Sequence, residues 1–153
     1  QTAKLMNQLG TEGHYTVTPE MKAKMADFCG GFATEAEDAA AIRELYDETG
    51  YVIDTHTGVA SAVYQQYKKN TGDETKTVIA STASPYKFSR SVMEAISDEK
   101  LPEDEFAVID ELCRVSGVEI PKAVEEIRNA QIRHNLECDV QDMKKTVAKI
   151  LGI

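Results

Sequence analysis

Positive charge is what this sequence is short of: 26 aspartates and glutamates stand against 17 lysines and arginines, a net charge of −9. Phosphate backbones repel such a surface, which argues against nucleic acid as a partner. Cysteine is scarce as well. Cys29, Cys113 and Cys138 are odd in number, lie far apart and form no CxxC pair, so neither a disulfide framework nor a zinc ribbon is expected. Reduced thiols of a cytoplasmic protein are the natural reading. No apolar stretch approaches the ~18–20 residues that a membrane span needs, and no secretory segment opens the chain. Repeats and low-complexity linkers are missing. So are a Gly-rich phosphate loop, a GxSxG elbow and an HExxH pair. A starting methionine is missing too: Gln1 falls directly inside a helical pattern, with Leu5, Met6 and Leu9 on one face. The chain therefore reads as a piece of a longer one.

What is present suits an ordinary globular domain. The 153 residues are 42% hydrophobic and 28% charged, enough for one domain with a real core. A short helix leads to a turn at Gly10–Gly13, and residues 14–17 read as a short strand. Thr18 caps a helix with Pro19 at its first position, and Met21, Met25 and Phe28 follow at helical spacing. Thr34 and Glu37 form a capping box for a helix that carries Ile42, Leu45 and Tyr46 inward and stops at Gly50.

Residues 51–54 and 77–80 are short apolar runs, and a helix over 57–69 separates them. Strand, helix, strand at this separation is a βαβ unit of a mostly parallel sheet. A helix over 85–96 and three more helical patterns complete the chain, the last behind Asp139 as its cap. The expected fold class is thus α/β, a single partial domain over residues 1–153. It divides into a helical approach segment with a short strand (1–50), the βαβ-α unit (51–96) and C-terminal helices (97–153). One such unit leaves unpaired edges, so the sheet is expected to continue in other residues.

Ligands of open parallel sheets bind beyond the carboxyl ends of the strands. Two such ends lie side by side here: Asp54, Thr55, His56, Thr57 and Gly58 at one, Ser81, Thr82, Ala83, Ser84 and Pro85 at the other. Both are rich in hydroxyls and open a helix, where free N–H groups attract anions. Ser84 suits a cap, which puts Lys87 in the opening turn against the positive end of the dipole. That costs about 0.3–1 kcal/mol, a cost that an anionic ligand would remove; a lysine pointing to solvent is the equal alternative. His56 beside a helix start prefers to be neutral. It can meet a substrate as hydrogen-bond donor or acceptor, or serve as a cap or packing residue. His134 and Cys138 stand four apart with no third ligand, so no metal is expected.

The stretches YVIDTHTGVA (51–60) and ASTASPYKF (80–88), in that order, resemble the C-terminal part of the threonine synthase family, which carries DPHTAVG-like and TAHPAKF-like segments. GGFAT (30–34) and HNL (134–136) are similar to its members as well. The resemblance implies a pyridoxal 5'-phosphate enzyme of the tryptophan-synthase-β-like fold, fold type II, acting in threonine biosynthesis. There O-phospho-L-homoserine and water become L-threonine and phosphate, the cofactor serving as electron sink. Thr82 matches the threonine whose hydroxyl meets the pyridine nitrogen. Lys87 matches the lysine of the same motif, near a phosphate or carboxylate. His56, Thr57 and Ser84 fall on the substrate side.

The family's Schiff-base lysine and phosphate-cradling loop belong to earlier residues, and none of the lysines here sits in a matching motif. The chain alone is therefore expected to be inactive without the missing N-terminal part. Ser84 stands where the family often has histidine, Thr55 where it often has proline, and Gly58 where alanine is common. Two other functions stay open: a non-catalytic module binding a partner or small anion, and a phospholyase for a related phosphorylated amino acid.

Overall fold

In the computed structural model, which describes all 153 residues, eight α-helices and two short 3-10 turns follow one another, and no residue pairs in a strand. The α/β expectation is thereby overturned. All three expected strands, at 14–17, 51–54 and 77–80, are irregular. The reason lies in what makes a strand, which is a partner for its backbone rather than an apolar run. Residues 76–83 exchange no backbone hydrogen bond, and Val78 is 91% exposed. Val52 and Ile53 are deeply buried, but side chains of the helices cover them. With the strands goes the βαβ unit.

The helices follow their local signals more closely. Helix α1 (Thr2–Glu12) runs through Gly10 and ends at Gly13, whose φ of 75° is the left-handed cap geometry. Helix α2 (Pro19–Lys24) starts where Thr18 accepts from the Met21 amide at 3.2 Å. It stops early and leaves Met25 and Phe28 exposed. The capping box forms as expected at α3 (Glu35–Thr49), the Thr34 amide donating to Glu37 at 2.7 Å. Helix α4 (Thr55–Thr71) is capped by Asp54.

The stretch expected as one helix over 85–96 divides into a 3-10 turn (Pro85–Phe88) and α5 (Ser89–Ile96). Helices α6 (Glu105–Ser116), α7 (Lys122–Arg128) and α8 (Met143–Leu151) close the chain. Before α8 comes a second 3-10 turn, Val140–Asp142, to which the Asp139 side chain contributes no cap bond.

The core sits where α3 packs on α4 and α5, and α5 on α6. Ile42, Val92, Met93, Val108 and Leu112 are essentially sealed from water. Each buried side chain of this size contributes roughly 1.5–3 kcal/mol as an upper figure. Helix α5 is only 8 residues long, yet Val92, Met93, Ala95 and Ile96 are all buried; packing, not length, holds it. Polar ties frame it. The Tyr86 hydroxyl donates to the Val118 carbonyl. Arg90 pairs with Glu105 at 2.6 Å and reaches the carbonyls of Pro102 and Glu103. The loop ahead of α6 is thereby pinned to α5, and with it the turn that carries Lys87. By contrast, α1, α2, α7 and α8 bury no residue completely.

Candidate functional site

Asp54 organises the first motif. It is 1% exposed, and a carboxylate so deprived of water must find donors. Its neighbours supply them: the amides of His56 and Thr57 donate to Oδ1 at 2.9 and 3.4 Å. The Thr57 hydroxyl donates to Oδ2. Burial alone would push this carboxyl up, but the Thr57 hydroxyl and the two amides outweigh it and hold it below the usual range. His56 adds to that pull, its Nδ1 lying 3.2 Å from Oδ1.

The second motif meets the first through a hydroxyl pair. Ser81 Oγ lies 3.0 Å from Thr57 Oγ1. The Thr57 hydroxyl has a single proton and gives it to Asp54, so Ser81 is the donor of that pair. This fixes the chain at Ser81, next to Thr82, which is exposed. Farther on, Ser84 accepts from the Tyr86 amide at 3.3 Å and opens the 3-10 turn, as its expected cap role requires. Lys87 therefore does stand in an opening turn, although of a 3-10 helix, and it is exposed.

Phe88 links the two halves. Its ring stacks on the His56 imidazole, centroids 5.7 Å apart and planes at 22°. The Lys87 ammonium lies 5.5 Å from the centroid of the same ring, a cation–π distance. Imidazole, phenyl and ammonium groups thus form one edge, with the hydroxyls of Thr57 and Ser81 beside it. Of the expected site residues, His56 and Thr57 share Asp54, while Ser84 and Lys87 share the 3-10 turn. Thr82 hangs on Ser81 between them.

Sequence reasoning missed Asp54 as a partner of both His56 and Thr57. The signal was available: an Asp followed at the third position by Thr, ahead of a helix, is an N-cap pattern. Asp38 was missed altogether, and no local signal marks it. One of its oxygens is buried without a hydrogen-bond partner. Burial, and then the negative charge of Asp54, push its carboxyl above the usual range, against the pull of His56.

Two grooves flank this edge. The larger, about 480 Å³, runs between α3 and α5 and includes Glu35, Asp38 and Glu94 in its wall, together with Thr55 and Phe88. Three carboxyl groups make it hostile to phosphate. The smaller, about 300 Å³, is lined by Lys87, Arg90 and Glu105 among others; Glu105 is taken up by Arg90, which leaves the Lys87 charge for an anion. The anion-friendly side is therefore that of the 3-10 turn. No group of His, Cys, Asp and Glu side chains is arranged to hold a metal ion, and no helix is long and apolar enough to cross a membrane.

Comparison with known proteins covers the same region. The family model "Threonine synthase, C-terminal" matches residues 57–147. Human threonine synthase-like 1 is 31% identical over 101 residues, covering 65% of this chain and 13% of the relative. Threonine synthase of Schizosaccharomyces pombe is 34% identical over 97 residues, or 62% of this chain and 19% of that protein. Threonine synthase of Corynebacterium glutamicum is 30% identical over 92 residues, 59% and 18% of the two chains. The matched stretch is thus less than a fifth of each of these relatives. No solved structure matches. With more than half of its length matched by that model, the chain belongs to the threonine synthase C-terminal family.

Proposed function

We propose that this chain is the C-terminal portion of a threonine synthase that, when whole, converts O-phospho-L-homoserine and water to L-threonine and phosphate with pyridoxal 5'-phosphate. The observation that carries the reading is the 3.0 Å contact between Thr57 and Ser81. It draws together the two segments on which the family resemblance rests, one carrying His56 and the other Thr82 and Lys87.

The residues fit a pyridine edge. Thr82 offers an exposed hydroxyl at a fastened point of the chain, and a hydroxyl can donate to a ring nitrogen without enforcing its protonation. The cofactor supplies an electron-withdrawing ring that stabilises charge developed on the substrate. This chain's share is orientation and binding. Thr82 faces the ring edge. Lys87 neutralises a phosphate or carboxylate from the 3-10 turn, and His56 offers a hydrogen bond beside it. Fixed groups of this kind act through preorganisation.

The test is made on the whole protein. It is expected to release phosphate from O-phospho-L-homoserine, and Thr82→Val is expected to shift the cofactor absorbance and slow turnover. A whole protein that binds no pyridoxal phosphate overturns the enzyme reading. Phosphate release from a related phosphorylated amino acid, but not from this one, would replace the substrate and keep the cofactor.

A further inference from the structure

His56 carries an instruction about its own proton. Asp54 Oδ1 already accepts the amides of His56 and Thr57 and sits 3.2 Å from His56 Nδ1. Asp54 is ionised at neutral pH, since its carboxyl lies below the usual range. A lone pair on Nδ1 facing this oxygen would be repelled; a proton there would be attracted. Neutral imidazole free in water favours the other tautomer, with the proton on Nε2. One face of the ring is stacked on Phe88, which limits its rotation, while about half of the side chain stays open to solvent.

We infer that Asp54 is a positioning residue: it holds His56 as the Nδ1–H tautomer, turned so that Nε2 is an unprotonated acceptor facing the site edge. Its oxygens divide the work. Oδ1 takes the two helix amides and faces the imidazole Nδ1; Oδ2 takes the Thr57 hydroxyl, whose own oxygen then receives Ser81. A single buried carboxylate thereby sets the imidazole on one motif and the anchor of the other. The occupant of Nε2 is an O–H or N–H donor, such as the water that the proposed hydration consumes or the substrate ammonium. The identity of this occupant rests on the proposed function; the tautomer does not.

The two parts are separated by experiment. In 15N-labelled chain at about pH 8.5, two units above an ordinary histidine, long-range 1H–15N spectra distinguish the tautomers. His56 is expected as Nδ1–H, with exposed His134 as Nε2–H. Asp54→Asn keeps a carbonyl acceptor and is expected to keep Nδ1–H. Asp54→Ser keeps a cap oxygen for α4 but is too short for the ring, and is expected to release His56 to the Nε2–H form. In the whole protein, Asp54→Ser is expected to lower kcat about tenfold to a hundredfold with little change in KM, less than loss of a general base would cost.

Nε2–H on wild-type His56 overturns the inference, and so does Nδ1–H surviving in a folded Asp54→Ser. If Asp54→Ser does not fold, the wild-type spectrum alone decides. Nδ1–H on His56, in a whole protein inactive toward O-phospho-L-homoserine, sustains the positioning role and removes the proposed reaction instead.

Discussion

A β-carbon added to Gly58 would lie 2.0 Å from Asp38 Oδ1 and 2.8 Å from Ile42 Cγ1. Helices α3 and α4 are in contact at this point, and Gly58 is what lets them approach so closely. Alanine is common at this position in the family the sequence resembles, so the departure has a local cause: a carboxylate one helix away.

Gly58→Ala is therefore expected to destabilise the chain by about 1–3 kcal/mol through overpacking. Asp38→Ala in the same chain is expected to recover much of that loss. A double-mutant cycle from urea melts measures the coupling. Additive effects would mean that the two helices yield instead.

Asp38 is also expected to make stability depend on pH. Its folded-state carboxyl is raised, by burial first and then by Asp54. The native state therefore holds the proton more tightly than the unfolded chain, and stability falls as pH rises through the folded value. Asp38→Asn should be the more stable form near pH 7 by about 1 kcal/mol. The gain should vanish below about pH 4, where the unfolded carboxyl is protonated too. Urea melts at the two pH values check this.

Asp54 has the opposite sign. Its carboxyl is held down overall, because the Thr57 and amide hydrogen bonds outweigh burial. It contributes stability above the unfolded value near 4, and that contribution is lost as pH falls through the lower folded value. Asp54→Ala removes a cap and strands a hydroxyl, at a cost of about 2 kcal/mol near pH 7. The cost should shrink in acid. A difference from wild type that stays constant with pH would assign Asp54 to capping alone.

Lys87 is exposed, and Lys87→Ala is expected to leave the melting curve within about 0.5 kcal/mol of wild type. In the whole protein the same change is expected to raise KM for the proposed substrate, O-phospho-L-homoserine, about tenfold or more, the worth of a charge-assisted hydrogen bond. Steady-state kinetics decide. An unchanged KM would return Lys87 to the solvent-facing reading.

Local signals were legible in the sequence and non-local ones were not. Thr18, the Thr34–Glu37 pair, Gly50 and Ser84 each do what their position announces, because a cap needs only residues within one turn. The strands at 51–54 and 77–80 failed because an apolar β-branched run fixes extended backbone without fixing a partner. Val52 and Ile53 show the ambiguity: buried on all sides, as a central strand would be, yet enclosed by helices. The grouping of His56 with residues near Ser81 was expected from neighbouring strand ends, and the structure has no strands. It arises from a pair of hydroxyls instead. Asp38 lies outside both motifs in the sequence, so its bearing on the site could not be read from spacing.

The stretch that leads to Thr82 is fastened by a side chain and not by its backbone. Between residues 76 and 83 no main-chain group is bonded to another, and Ser81 supplies the polar tether. Upstream of that knot the chain has slack, so gaining or losing a residue there need not move Thr82. At the knot itself there is none to spare: trading either hydroxyl for a methyl would release the chain at Ser81 and leave Thr82 unanchored, while the His56–Phe88 stack still joined the two halves of the edge.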